Sequence, residues 1–176
     1  MSATGSTIKV PHPSSEIVAV GIAQCQVTRD PQALLVSYGL GSCVGVAAWD
    51  PVAHVGGLIH ILLPEPMQEI AVVTATKFAS TGIPVFLKLL QEQGAQLRRL
   101  HVVAAGGAQM LSALAKAGPL KGIGTRNCEV VTETLANNGI VLAQTDFGGS
   151  VGRTLCLVVS TGECWVRIAG GQQRPL

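Results

Sequence analysis

Charge is scarce in this chain: 12 Lys and Arg face 10 Asp and Glu among 176 residues, for a formal net charge of +2. These charges are spread thinly and form no basic stripe of the kind a phosphate backbone demands, which argues against nucleic acid as a partner. Long apolar runs are missing as well. The longest, Leu58 to Leu63, falls far short of the roughly 20 residues a bilayer requires and is interrupted by His60, so no membrane insertion is expected. The opening MSATGSTIKVPHPSS carries no apolar run before a cleavage-like site. It does not read as a secretory signal, and a cytoplasmic protein is expected.

Cysteine pairing signals are also absent. The five cysteines, Cys25, Cys43, Cys128, Cys156 and Cys164, are odd in number, widely spaced and free of any CxxC pair. This argues against a disulfide framework. The four histidines do not fall at metal-ligand spacings, so no metal site is expected.

What is present is apolar: 48% of the residues are hydrophobic, enough for one domain with a real core. Both ends carry Pro, Gly and small polar residues. The reading is a flexible N-terminal tail over 1–15, one domain over 16–168 and a flexible C-terminal tail over 169–176. Between the tails, short apolar runs alternate with Gly- and Pro-marked turns. Strands are expected at Ile17 to Ala23, Ala33 to Tyr38, Val44 to Trp49, Gly57 to Leu63, Leu100 to Ala105, Ile140 to Thr145, Leu155 to Ser160 and Cys164 to Ile168. The last two read as a hairpin turning on Thr161-Gly162-Glu163.

Ile83, Phe86, Leu87 and Leu90 repeat at i, i+3, i+4, i+7 and predict a helix, with Pro84 tolerable only in its first turn and Gly94 just past its end. A second helix is expected from Asn127 to Asn138, burying Cys128, Val131 and Leu135, with a shorter one after Gly106-Gly107. The order, four strands, helix, strand, helix, three strands, implies an α+β fold with a strand-rich, sandwich-like core and two to three helices.

The segment SYGLGSCVGVAAWDPVAHVGGLIH, Ser37 to His60, places three polar groups in an apolar stretch. If Val44 to Trp49 and Gly57 to Leu63 form a hairpin turning at Pro51 and Val52, Cys43 stands directly opposite His60, on the same sheet face. A thiol attacks only as thiolate, and an adjacent imidazole that takes its proton supplies the activation. Ser37, at the end of the preceding strand, could orient that imidazole through its other nitrogen. The glycines around the turn let the amides near Ser42 and Cys43 approach a substrate carbonyl as an oxyanion hole.

A bland reading stands beside each of these. Free cysteine is most often a small buried hydrophobe, and Cys25, Cys128, Cys156 and Cys164, inside strand or helix patterns, are read that way. A lone His in an apolar strand is commonly a core residue bonded to a carbonyl, and serines at strand ends usually cap turns. His12, His54 and His101 read as tail, turn and strand residues without partners. GGAQM, from Gly106, and GGSVGR, Gly148 to Arg153, lack the spacing of a phosphate loop and read as turns near the site, shaping a peptide groove.

Taken together, YGLGSCVGVAAWDP, GGLIHILLP, TGIPVFLKLL, AAGGAQM, GTRNCEVVTETL and DFGGSVGR resemble, in order and spacing, the CheD family of chemoreceptor glutamine deamidases. The likeness extends from about Ile17 to Arg167. It implies that Cys43 is the nucleophile and His60 the general acid and base. Ser37 falls where the family usually carries threonine, which keeps the hydroxyl and loses a methyl. The resemblance further implies cofactor-free hydrolysis of glutamine side-chain amides on the cytoplasmic helical domain of chemoreceptors, in chemotactic adaptation. It implies a fold similar to toxin-type cysteine deamidases, and it offers a CheC-type response-regulator phosphatase as a partner; some members also cleave receptor methyl esters. Two other readings remain open: a binding module that regulates a phosphatase or receptor array without turnover, and a hydrolase of a small amide. The second is disfavoured because no charged pocket stands out.

Overall fold

The structure is a computed structural model that describes residues 16–67, 72–109, 122–168 and 170–176. Ten strands form two five-stranded sheets. The first runs in the order β1 (Glu16–Ala19), β3 (Ala33–Leu40), β8 (Arg153–Val158), β9 (Cys164–Ile168), β10 (Gln173–Pro175). The second runs β2 (Cys25–Thr28), β5 (Val55–Ile61), β4 (Val44–Asp50), β6 (His101–Gly106), β7 (Gln144–Phe147). The β1–β3 and β6–β7 pairs are parallel and the others antiparallel.

Alternation along the strands assigns the layers. Leu35, Ala47, Leu58, Val103, Ala105, Leu155, Leu157 and Val166 meet between the two sheets. Val44, Val46, Ala48, Ile59 and Ile61 point the other way, toward the helices α1 (Ala79–Glu92) and α2 (Ile123–Asn137). The result is sheet upon sheet upon helices, an α+β sandwich as the strand-heavy pattern implies. Helix α1 buries Ile83, Phe86, Leu87 and Leu90, the predicted stripe, each side chain contributing about 1.5–3 kcal/mol by leaving water.

Several boundaries differ from expectation, each for a local reason. The strand predicted from Ile17 to Ala23 ends at Ala19 as β1; the chain then turns, and β2, which was not anticipated, begins at Cys25 in the other sheet. Gln24 marks that turn, its Oε1 accepting from the Gly21 amide at 2.9 Å. Helix α1 starts at Ala79, so Pro84 sits beyond the first turn and cannot donate to the Ser80 carbonyl. The early start is possible because the chain following β5 supplies acceptors to the helix N-terminus. Ala79 N donates to Leu63 O at 2.9 Å and Ser80 N to Pro64 O at 3.1 Å. Helix α2 likewise begins before Asn127, at Ile123, and Cys128 is only half-buried. The strand expected over Ile140 to Thr145 is Gln144–Phe147.

At the C-terminus, where a loose tail was expected, Gln173–Pro175 pairs with Trp165–Arg167 as an edge strand, and Leu176 N donates to Cys164 O at 2.9 Å. The N-terminal tail over 1–15 and the short helix expected after Gly106-Gly107 fall largely or wholly outside the described residues.

The β4–β5 hairpin carries the most consequential difference. Its pairing runs from Asp50↔Val55 to Gly45↔His60 and Val44↔Ile61, so His60 faces Gly45, not Cys43. The cause is Asp50. Its Oδ1 accepts from the amides of Val52 and Ala53 at 2.9 and 3.0 Å, making Pro51 to His54 a four-residue turn in place of the two-residue turn assumed, with His54 at φ 50. Because strands alternate with a period of two, this two-residue change in the loop keeps Cys43 and His60 on one face.

Asp50 is fully buried and also binds Arg99, Nη2 to Oδ2 at 2.8 Å, and the Gln96 amide at 2.8 Å. Burial opposes its charge, but Arg99 and the three backbone amides outweigh that and hold the carboxyl below the usual carboxylate range. Asp50→Asn should therefore destabilise the fold by about 2–3 kcal/mol at pH 7 in urea melts, by loss of charged hydrogen bonds. Since the folded carboxyl titrates below its ordinary 3.8, the wild-type advantage is full above that pH and shrinks as pH falls below it. A difference that stays constant from pH 7 down to pH 3 would refute this assignment.

Candidate active site

Ser37 comes from β3 of the first sheet and His60 from β5 of the second, and both point into the space between the sheets. Ser37 pairs with Leu155, an interlayer residue. The β3–β8 register then breaks between Ser37 and Leu40; this bulge ends the regular ladder immediately after the serine. Gly45, facing His60, lacks a side chain where a Cβ would meet Leu40 Cδ1 at 3.0 Å and Leu155 Cδ2 at 3.2 Å. Glycine there makes room in the layer for the Leu40 and Leu155 side chains.

Ser37 Oγ lies 2.8 Å from His60 Nδ1 and 3.2 Å from the Val20 carbonyl. His60 Nδ1 is itself 3.4 Å from that carbonyl. The network assigns the tautomer. A carbonyl can only accept, so the Ser37 hydroxyl donates to Val20 and Nδ1–H donates to Ser37 Oγ. Nε2 then carries the lone pair, and it is buried without a hydrogen-bond partner.

Cys43 precedes β4 and belongs to the same interlayer cluster, packed with Leu35, Leu40, Ala47, Leu58 and Leu155. It lies one pleat beyond Gly45 and is 7% exposed, against 1% for His60 and none for Ser37. The turn that presents it is anchored from behind: Gly107 N donates to Cys43 O at 2.8 Å and Ala108 N to Gly41 O at 2.7 Å. Gly106 adopts φ +127, and a Cβ there would lie 2.1 Å from Cys43 O, so no other residue fits without moving the thiol. Among the described residues no carbonyl accepts from the Ser42 or Cys43 amide, the latter lying against the Cys43 sulfur itself.

Both turns read from sequence as near the site are there. Gly148 N donates to Gly106 O and Gln109 N to Gly149 O, each at 2.9 Å. The buried Arg153 joins them, giving Nη1 to Gly106 O at 2.8 Å and to Asp146 O at 2.7 Å, and Nη2 to Gly148 O at 2.7 Å. An open groove lined by Tyr38, Gly39, Gly152, Thr154 and Arg167 borders the Ser37 bulge. His54 lies in the β4–β5 turn and His101 begins β6, both apart from this cluster; His12 lies outside the described residues.

Two participants were not anticipated. The Val20 carbonyl is main chain and leaves no side-chain signal in sequence. Arg153 was visible only as a basic residue ending a glycine-rich segment.

Burial works against ionisation on both groups, pushing the Cys43 thiol up from its ordinary 9.0 and His60 down from 6.5. The other four cysteines are raised too, Cys25, Cys156 and Cys164 to about 12 and Cys128 to about 11. What distinguishes Cys43 is thus its place at the glycine turn that opens β4, on the interlayer face that also carries His60; no hydrogen bond joins its Sγ to His60 Nε2. Both shifts favour the neutral thiol and the neutral imidazole.

A thiol and an oriented imidazole on one interlayer face are groups that a cysteine hydrolase uses. Comparison with known proteins narrows this class. Residues 62–168 match the model of the CheD family, described as CheD chemotactic sensory transduction. A probable chemoreceptor glutamine deamidase CheD of Symbiobacterium thermophilum is 42% identical over 159 residues, covering 90% of this chain and 96% of that protein. Its namesake in Desulforamulus reducens is 42% identical over 153 residues, 87% of this chain and 91% of that one. Both stretches are too long to miss Ser37, Cys43 and His60. The chain belongs to the CheD family. Among solved structures, the C-terminal domain of CNFy from Yersinia pseudotuberculosis aligns with a TM-score of 0.40 at 11% identity, covering 91% of this chain and 62% of that one, a likeness too slight to bear weight.

The neutral pair predicts how the thiol reacts. Alkylation of Cys43 by iodoacetamide should show a low shoulder near pH 7, carried by proton transfer to His60 and abolished in His60→Ala. The main rise should come above pH 9.0, because burial raises the thiol. A full-rate plateau reaching below pH 6.5 would mean a standing thiolate–imidazolium pair and contradict the assignment.

Proposed function

We propose that this protein is a cytoplasmic protein-glutamine glutaminase that converts selected glutamines of chemoreceptors to glutamates, with Cys43 as nucleophile, His60 as general acid and base and Ser37 orienting His60. The observation that carries the reading is the clamp on His60: Nδ1 bound to Ser37 Oγ at 2.8 Å while Nε2 is left free. Family membership supplies the substrate class, since the relatives are named chemoreceptor glutamine deamidases.

The chemistry follows from these groups. His60 Nε2 takes the Cys43 proton as Sγ attacks the side-chain amide carbon of glutamine, and the carbonyl oxygen gains negative charge toward the amides of Ser42 and Cys43. The imidazolium returns the proton to the amide nitrogen, the C–N bond breaks and ammonia leaves a thioester. Water then attacks the thioester, giving a proton to Nε2. The C–S bond breaks, the thiol is re-formed and glutamate is released. Water is the only co-reactant. The same thioester would form from a glutamyl methyl ester, with methanol leaving in place of ammonia.

Burial is compatible with this sequence because the imidazolium exists only transiently and beside the charge it neutralises. The orienting hydrogen bond to Ser37 is needed because an imidazole rotated about its Cβ–Cγ bond presents no base to the thiol. A CheC-type phosphatase fits as a partner that competes with receptor for this surface.

The test is incubation with a receptor cytoplasmic fragment, with mass spectrometry following conversion of glutamine amide to acid. Wild type should convert discrete glutamines, and Cys43→Ala and His60→Ala should not. Ser37→Ala should lower kcat about tenfold, the loss of one orienting hydrogen bond of about 1.4 kcal/mol, while Ser37→Thr retains most activity. Equal conversion by wild type and Cys43→Ala would overturn the reading. Turnover of free glutamine as efficient as that of receptor would replace it with small-amide hydrolysis.

A further inference from the structure

Asn127 is the one fully buried neutral amide side chain among the described residues, and it comes from α2, outside both sheets. Its Nδ2 donates to the Ser42 carbonyl at 2.9 Å and to the Leu62 carbonyl at 3.0 Å. Ser42 immediately precedes Cys43, and Leu62 follows His60 by two residues along the chain leaving β5. One amide group therefore ties the turn that presents the thiol to the strand that presents the imidazole.

The chemistry of the bridge fixes its direction. Both partners are carbonyl oxygens, so only the NH2 of Asn127 can face them; the flipped amide would set three oxygens against one another. Oδ1 is left buried with no partner, an arrangement that costs stability. A residue serving only to pack α2 against the second sheet would do better as leucine or valine, as at Val130, Val131 and Leu135 of the same helix. The β4–β5 ladder ends at Val44↔Ile61. Beyond it Ser42 and Leu62 have no ladder bond to hold them, since Leu62 N turns instead to Lys77 O at 3.0 Å. At that point Asn127 takes over from the ladder.

We infer that Asn127 is a positioning residue for the reaction, holding Cys43 and His60 at working separation where the strand pairing between them ends. The inference rests on the roles proposed for Cys43 and His60. It assigns Asn127 no contact with substrate. Asn127→Ala removes both bonds, Asn127→Asp replaces the donor with an anion facing two carbonyls, and Asn127→Ser restores one donor at most.

The experiment uses the full chain carrying Asn127→Ala, Asn127→Asp or Val131→Ala, the last of which loosens α2 at a core position away from the two carbonyls. Three quantities are followed at a temperature where thermal melts find all proteins folded: kcat and KM for receptor deamidation, and the neutral-pH shoulder of Cys43 alkylation. Asn127→Ala should lower kcat by about 10–100-fold, the usual consequence of misplacing a catalytic group by an ångström or so. KM should change by no more than about twofold, the alkylation shoulder should disappear, and Asn127→Asp should fare worse. Val131→Ala should keep both kcat and the shoulder. The inference is overturned if folded Asn127→Ala retains the shoulder, or if Val131→Ala loses it equally. Because alkylation needs no receptor, this arm reads Asn127 even if the wild type fails to deamidate, a result that would count against the proposed substrate alone.

Discussion

The site depends on a hydrogen bond that crosses the sandwich. Ser37 belongs to one sheet and His60 to the other, and the 2.8 Å contact between them lies in a layer otherwise filled by Leu35, Leu40, Leu58 and Leu155. In such surroundings an imidazole without a partner is costly, and few acceptors are within reach. The Val20 carbonyl, in the turn that carries the chain from β1 in the first sheet to β2 in the second, completes the clamp. Sheet packing, the β3 bulge and the β1–β2 crossover thus converge on the orientation of one ring.

The same burial sets the electrical character of the site. It raises the thiol and lowers the imidazole, so neither group carries charge while it waits. Reactive cysteines often gain a standing thiolate from nearby cations. Here the only buried guanidinium among the described residues, on Arg153, is spent on the carbonyls of Gly106, Asp146 and Gly148. It stabilises the glycine turns behind Cys43, and the proposed activation is left to proton transfer from Cys43 to His60. A thiol kept protonated between encounters is also less open to oxidation.

Much of this was readable in the sequence because it lies in short-range pattern. The stripe Ile83, Phe86, Leu87, Leu90 gave α1, alternation gave most strands, and the Gly-flanked Cys43 with His60 on a neighbouring strand gave the pair proposed to react. What could not be read depends on side chains acting on distant backbone. Asp50 capping the amides of Val52 and Ala53 lengthened the hairpin turn and placed Gly45 opposite His60. Only the period of two preserved the facing of Cys43. The carbonyls of Leu63 and Pro64 moved the start of α1 ahead of Pro84. Val20 acts through main chain, and Asn127 reads in sequence as an ordinary helix residue. Each of these contacts joins residues that are distant in sequence or leaves no mark on residue type.

The most direct test of the account is the tautomer of His60, since the mechanism requires the proton on Nδ1 and the lone pair on Nε2. Long-range nitrogen–proton correlation spectra of protein labelled with 15N-histidine report it without substrate. At pH 7 the account predicts a single neutral His60 with Nδ1 protonated, becoming a tautomer mixture in Ser37→Ala. A His60 protonated on Nε2, or doubly protonated at that pH, would contradict it.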